Sequence, residues 1–278
     1  MSQQFRPSSF QILPPVVKNL LIINGIFYLA TVVLQEKYGI DLADYLGLHF
    51  PSSPYFRPHQ FITHLFMHGS LMHIFSNMFA LWMFGNILEN VWGPKRFLTY
   101  YLVTGVGAAL IHTLFTWYEI EQVKGALEQL YASMNPVDFK MFVLKYQGYL
   151  SSGQDVEFNE LFNAWRQLPS DPVYIQHAGT FAETMLQNKV DVATVGASGA
   201  VFGVLLAFGM LFPNTIIYLY FAIPVKAKYF VMFYGLFELY SGIQNNPADN
   251  VAHYAHLGGM LFGYILIRAW KNSYRRDL

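Results

Sequence analysis

The stretch Val195-Gly196-Ala197-Ser198-Gly199-Ala200-Val201-Phe202-Gly203 sets one serine among glycines, at the mouth of an apolar segment that continues to about Phe212. Small residues let membrane helices approach closely, so a serine here can be plain packing filler. The far end of the chain argues for more. There Ala255-His256-Leu257-Gly258-Gly259 opens the last apolar segment. A histidine at that depth is expensive in lipid unless it has a partner and a task. Glycines at 196, 199 and 203 on one segment, and at 259 and 263 on the other, let the two helices pack closely enough for Ser198 and His256 to meet.

Composition sets the surroundings of that pair. Of 278 residues, 54% are hydrophobic and only 12% charged, with 17 basic and 17 acidic side chains. Soluble domains run closer to a quarter charged, which points to a membrane protein. Zero net charge argues against a nucleic-acid partner, which would need a basic face. The chain has no cysteine, so disulfides, thiolate metal sites and cysteine nucleophiles drop out. Residues 1–15 are polar and proline-bearing, and no small-residue cleavage site follows the first apolar run. That pattern speaks against a cleaved signal peptide.

Six apolar runs are long enough, or nearly so, to cross about 30 Å of hydrocarbon as helices. They cover 16–34, 71–88, 97–115, 195–212, 229–243 and 251–270. The expected fold is an all-α polytopic membrane protein of six transmembrane helices, with a small helical insertion outside the cytoplasm. Its parts are a cytoplasmic segment 1–15, spans one to three over 16–115, an acidic insertion 116–191, spans four to six over 192–270, and a basic tail 271–278. The first loop, 35–62, mixes Pro51, Pro54 and Pro58 with Phe50, Tyr55, Phe56 and Phe61. Prolines break helices and aromatics favour the interface, so this loop reads as partly interfacial. The insertion holds ten of the seventeen acids. Ile120, Val123, Leu127, Leu130 and Tyr131, then Phe158, Leu161, Phe162 and Trp165, carry the rhythm of amphipathic helices. No repeat of fixed period is present.

Lys18, Lys95, Arg96, Lys226, Lys228, Lys271, Arg275 and Arg276 fall on one side of a six-span layout. The positive-inside rule assigns that side, with both termini, to the cytoplasm. Ser198 and His256 then begin inward-running helices, and His73 and Asn77 lie early in the second span. Three helices bring polar groups to one level.

A serine hydroxyl needs a positioned base to become a nucleophile, and His256 stands at the right level. His253 reads as loop-facing, and Asp249 as a doubtful orienter, so a dyad is expected rather than a triad. Glu238 reads as a paired or interface-facing carboxylate. Phe202, four residues after Ser198 on the same face, can pack on the His256 ring. His73 and Asn77, also four apart, point to one spot. With the Ser198 backbone N–H they make a candidate oxyanion hole.

Four stretches in order carry a family likeness. They are Thr63-His64-Leu65-Phe66-Met67-His68-Gly69-Ser70-Leu71-Met72-His73-Ile74-Phe75-Ser76-Asn77; Glu89 with Trp92-Gly93 and Arg96-Phe97-Leu98; Gly196-Ala197-Ser198-Gly199; and Ala255-His256-Leu257-Gly258-Gly259 with Gly263. Together they resemble the rhomboid family over all six spans, leaving the insertion outside. The resemblance implies an intramembrane serine protease that uses no metal or cofactor and cuts transmembrane protein substrates near their outer ends within the lipid bilayer. It implies Ser198 as nucleophile, His256 as base, and His73 and Asn77 as oxyanion donors, with Gly196, Gly199, Phe202 and Gly259 in support. Two departures stand out. His59-Gln60 occupies the register of a tryptophan–arginine pair found in many rhomboids, and the insertion is much longer than the family's usual loop there. Its place beside the active-site opening suggests that it guides or limits substrate entry.

The compact six-span layout suggests a bacterial cytoplasmic membrane. Natural substrate and oligomeric state are not legible. Three other readings fit less well. A zinc site from His64, His68, His73, His253 and His256 lacks the H-E-x-x-H pattern and any thiolate. A catalytically silent relative that only binds transmembrane clients would be expected to lose the serine or the histidine, and both are present. A transporter would show paired repeats or broken helices in matching halves.

Overall fold

A computed structural model describes residues 10–219, 222–244 and 251–276. The first helix, α1 (Pro15–Tyr38), starts on Pro15, whose missing N–H is no loss at a helix start, and ends at Gly39 in a left-handed conformation. Its first turn is held from another helix. The Glu89 carboxylate accepts the Val16 N–H at 2.9 Å and the Val17 N–H at 2.8 Å, meeting two of the donors that every helix start leaves unpaired. The second long helix, α2 (Leu71–Trp92), is capped by Ser70, whose hydroxyl accepts the His73 N–H at 3.2 Å. A π-helical turn over Leu81–Gly85 interrupts it.

Helix α3 (Pro94–Ser133) is one unbroken helix of 40 residues. At 1.5 Å per residue it is about 60 Å long, twice the hydrocarbon thickness. Its second half therefore leaves the bilayer and becomes part of the insertion, so the boundary at 115/116 suggested by composition falls inside a continuous helix. Three more helices complete the insertion: α4 (Pro136–Lys145), α5 (Gln154–Trp165) and α6 (Pro172–Asp191). Asn135 and Asp171 cap α4 and α6 through their side chains. The insertion has its own apolar core. Val123 and Leu130 of α3 meet Phe139, Trp165, Phe181 and Met185 there, and Phe139, Trp165 and Met185 are fully buried.

The membrane part resumes at α7 (Ser198–Leu211), followed by a two-stranded antiparallel hairpin, β1 (Ile216–Leu219) with β2 (Ile223–Lys226), then α8 (Ala227–Gln244) and α9 (His253–Arg276). The hairpin occupies a stretch that periodicity alone leaves unassigned. Helices α3, α7 and α9 form the most closely packed group, and α8 leans on α9 and α7. Glycine makes the α7–α9 crossing possible: a Cβ on Gly259 would overlap the backbone carbonyl of Gly199.

By length and hydropathy, α1, α2 and α3 can each cross a membrane, and α7 is a shorter apolar helix. Apolar side chains such as Ile26, Leu29, Phe233, Leu236 and Tyr240 face outward on α1 and α8. Large apolar faces of this kind suit lipid and not water. The chain is a polytopic helical membrane protein.

Candidate active site

Helix α7 has only 14 residues, about 21 Å of rise. Its first residue is Ser198. The chain reaches it through Gly196, at φ +130°, where a Cβ would stand 2.8 Å from Cε1 and Nε2 of His73. Only glycine lets the backbone pass that close to the ring.

Ser198 Oγ lies 2.8 Å from His256 Nε2. The Phe202 ring lies flat on the His256 imidazole, with centroids 4.1 Å apart and planes at 7°, which restricts the imidazole to one orientation. His256 is buried and Ser198 half-buried. On the facing side, α2 contributes His73 and Asn77. Asn77 is buried, and its Nδ2 finds no hydrogen-bond partner among the described residues. Such an orphaned donor is costly unless something occupies it. Ser198 opens its helix, so its backbone N–H is among the donors that have no partner within the helix. All four polar residues line one cavity of about 1510 Å³, which also reaches Tyr149 and Lys189 of the insertion. The structure thus brings together every residue that the sequence singled out for catalysis.

It also adds one group. Glu238, buried on α8, places Oε2 2.6 Å from His253 Nδ1 and 2.9 Å from His256 Nδ1. The first contact is a well-formed hydrogen bond. The second is short but poorly aligned, so His256 Nδ1 meets the carboxylate as a charge contact. His253, expected to face the loop, is instead buried against Glu238. Where the sequence led to a dyad, the structure also sets a carboxylate beside the histidine. The available signal was the acid itself, since a carboxylate in an apolar span is expensive without partners. Asp249 lies outside the described residues.

The five-histidine zinc set does not assemble. His64 Nδ1–H donates to the Gln60 carbonyl at 2.8 Å, and His68 packs edge-on against His73. Among the described residues, the group able to hold a metal ion is Glu238, His253 and His256, whose ligand atoms lie within 4.8 Å of one another.

Above the cavity, the first loop is organised by Gln60, which is fully buried. Its Oε1 accepts the N–H groups of His49 and Arg57, and its Nε2 donates to the carbonyls of Tyr45 and Tyr55. His59 meets the Tyr45 carbonyl at 3.1 Å. The His59-Gln60 pair thus ties the loop to itself. Asp191, at the end of the insertion, ties the loop outward, accepting from His49 Nδ1–H at 2.8 Å and Ser53 Oγ–H at 2.7 Å.

The fold and this polar cluster define an integral membrane protein with a serine–histidine pair facing an open cavity. The Rhomboid domain matches residues 55–135 and 173–271. The chain belongs to the rhomboid family. Among curated relatives, Rhomboid-like protein 11, chloroplastic, of Arabidopsis thaliana is 36% identical over 102 residues, 33% of each chain. An uncharacterised mitochondrial rhomboid protein of Schizosaccharomyces pombe is 26% identical over 232 residues, 78% of this chain and 52% of the relative. The matches thus span a third and about half of those relatives' own lengths.

Proposed function

We propose that this rhomboid is an intramembrane serine endopeptidase that cleaves transmembrane substrate helices near their extracytoplasmic ends. The observation that carries the reading is the 2.8 Å contact between Ser198 Oγ and His256 Nε2 at the wall of an open cavity. His256 Nε2 takes the hydroxyl proton as Ser198 Oγ attacks the scissile carbonyl carbon. The tetrahedral oxyanion is met by His73, Asn77 Nδ2 and the Ser198 N–H. His256 returns its proton to the leaving amine as the C–N bond breaks, leaving an acyl ester on Ser198. Water, deprotonated by His256, then hydrolyses that ester, and the proton passes back to Ser198.

A helical substrate hides its carbonyls, so it must unwind locally, and small or helix-breaking residues near the cleaved bond favour it. The insertion walls the cavity with Tyr149 and Lys189, which supports a part for it in admitting substrate. The short basic segments support cytoplasmic termini.

The test is cleavage of a transmembrane reporter by purified protein in lipid vesicles, beside Ser198→Ala. Cutting by the wild type and none by the variant is the expected result. Equal cutting by both refutes the assignment of Ser198. Binding without cutting by both turns the reading into that of a client-binding relative.

A further inference from the structure

Three features of the molecule are not consumed by that reaction: the ion pair of Lys189 with Glu119 at the cavity wall, the His68 ring packed edge-on against His73, and the Glu238–His253 pair behind the catalytic imidazole. The last is the one whose geometry bears directly on the chemistry.

For His256 Nε2 to accept the Ser198 proton, the ring must carry its own proton on Nδ1. Nothing in Ser198 or Phe202 enforces that tautomer. The ring stacking sets orientation and leaves the proton free to sit on either nitrogen. What faces Nδ1 is Glu238 Oε2 at 2.9 Å. A carboxylate oxygen and an unprotonated imidazole nitrogen at that distance repel one another, whereas an Nδ1–H turns the contact into an attraction. The carboxylate is in turn held by His253, whose Nδ1 lies 2.6 Å from the same oxygen. Both histidines come from the first turn of α9, three residues apart, and Glu238 comes from the neighbouring helix α8. The carboxylate is thus an anchor between the two helices, aimed at the side of His256 that faces away from the nucleophile.

We propose that Glu238 is a positioning residue that holds His256 in its Nδ1–H tautomer and stabilises the imidazolium formed when Ser198 attacks, with His253 locking the carboxylate in place. This rests on the serine-protease reading above. The proton moves only between Ser198 Oγ and His256 Nε2; the Nδ1 proton stays, and Glu238 remains ionised throughout, as orienting carboxylates do in soluble triads. Because the Nδ1 contact is poorly aligned, its removal costs less than loss of a fully aligned triad acid, and a 10- to 100-fold fall in rate is expected, against about 10⁴ for the aligned case.

Other titratable groups bear on His256 from every element packed around it. His73 on α2 and His112 on α3 are near enough to feel its charge, Tyr234 on α8 packs against Phe202, and His253 shares its own helix. Helix α7 presents no titratable side chain to it apart from Ser198. All of these remain when only Glu238 is changed, so a comparison of variants isolates the carboxylate.

The experiment is the pH dependence of Ser198 labelling by a fluorophosphonate probe, which reports nucleophile activation without needing a substrate. Full-length protein in detergent is used: wild type, Ser198→Ala, Glu238→Gln, Glu238→Asp and His253→Leu. Glu238→Gln is expected to label 10- to 100-fold more slowly and to move the acid limb of its profile down by about one pH unit, since an imidazolium without its carboxylate releases its proton more readily. Glu238→Asp recovers most of the limb position. His253→Leu frees the carboxylate from its anchor and moves the limb down as well, by less than Glu238→Gln, and this variant keeps the test open should Glu238→Gln fail to fold. A limb that stays in place in both Glu238→Gln and His253→Leu overturns the proposal, even if rates fall, because misplacement of α8 lowers rate without changing the titration. A wild type that does not label beyond Ser198→Ala overturns the serine-protease reading itself, and the positioning role with it.

Discussion

Gly259→Ala places the smallest possible side chain where α9 crosses α7. The new methyl would overlap the Gly199 carbonyl oxygen and lie 2.7 Å from the carbonyl carbon and 3.3 Å from the Gly199 Cα. These are backbone atoms, so no rotamer change relieves the clash, and the two helices must separate by about 1 Å to restore ordinary contact in a close-packed interior. Gly199 follows Ser198 directly, and Gly259 stands one helical turn from His256. The separation therefore opens the Ser198–His256 contact from 2.8 Å to roughly 3.8 Å, beyond hydrogen-bonding range. A displacement of that size costs about 10²-fold in rate, and the overpacking destabilises by about 1–3 kcal/mol. The assay is the initial rate of reporter cleavage in vesicles, with thermal unfolding in detergent on the same samples. Gly125→Ala is the control. It lies in the insertion half of α3 with nothing within 4 Å of the added methyl, so it should leave the rate unchanged and stabilise by about 0.5–1 kcal/mol. A Gly259→Ala variant that cleaves at the wild-type rate refutes the view that this crossing sets the serine–histidine distance.

Asn77→Ala removes one of the proposed oxyanion donors and should lower kcat by about 10²–10³ with little change in KM; an unchanged kcat takes Asn77 out of the site. Glu89→Ala leaves the α1 start without its two side-chain acceptors, 2.8 and 2.9 Å away. The expected loss is roughly 3 kcal/mol, read as a lower unfolding temperature, while Ser198 labelling per folded molecule stays normal. Burial pushes the imidazole of His64, in the turn that follows the first loop, down to about 4. A histidine whose folded value lies below its unfolded one is held neutral, so its stabilisation is complete above about pH 6.5 and is lost as pH falls toward 4. Unfolding in a pH series should weaken over that window by about 3 kcal/mol, and His64→Gln should flatten the slope; an equally steep decline in the variant assigns the acid sensitivity elsewhere.

Much of the architecture was written in one dimension. Hydrophobic runs long enough to cross a bilayer, broken by Pro94, Pro213 and the acidic stretch after Trp117, specify spans and insertion, because lipid demands internally satisfied helices whatever the partners are. Ser198, His256, His73 and Asn77 were legible for a related reason. Each is a polar group at one membrane depth, and depth follows from counting spans. Phe202 followed from helical spacing alone. What composition could not give was the length of α3, since amphipathic periodicity past residue 115 does not say whether a helix continues or restarts.

The sequence by itself determined which helices carry polar groups and at what level those groups sit. The tertiary structure decided which groups touch. Glu238 and His253 are the clearest case. In sequence they lie 15 residues apart across a stretch that looks like a loop, and each has an ordinary explanation alone. Only the packing of α8 against α9, at a rotation that no hydropathy pattern encodes, turns both toward His256. The same holds for Gln60, which in sequence is a departure from a motif and in the fold is a buried hub of four backbone hydrogen bonds. Depth in a membrane is a one-dimensional property that a chain states openly. The rotation of each helix about its own axis is set by van der Waals contact among neighbours, and it exists only once they are assembled.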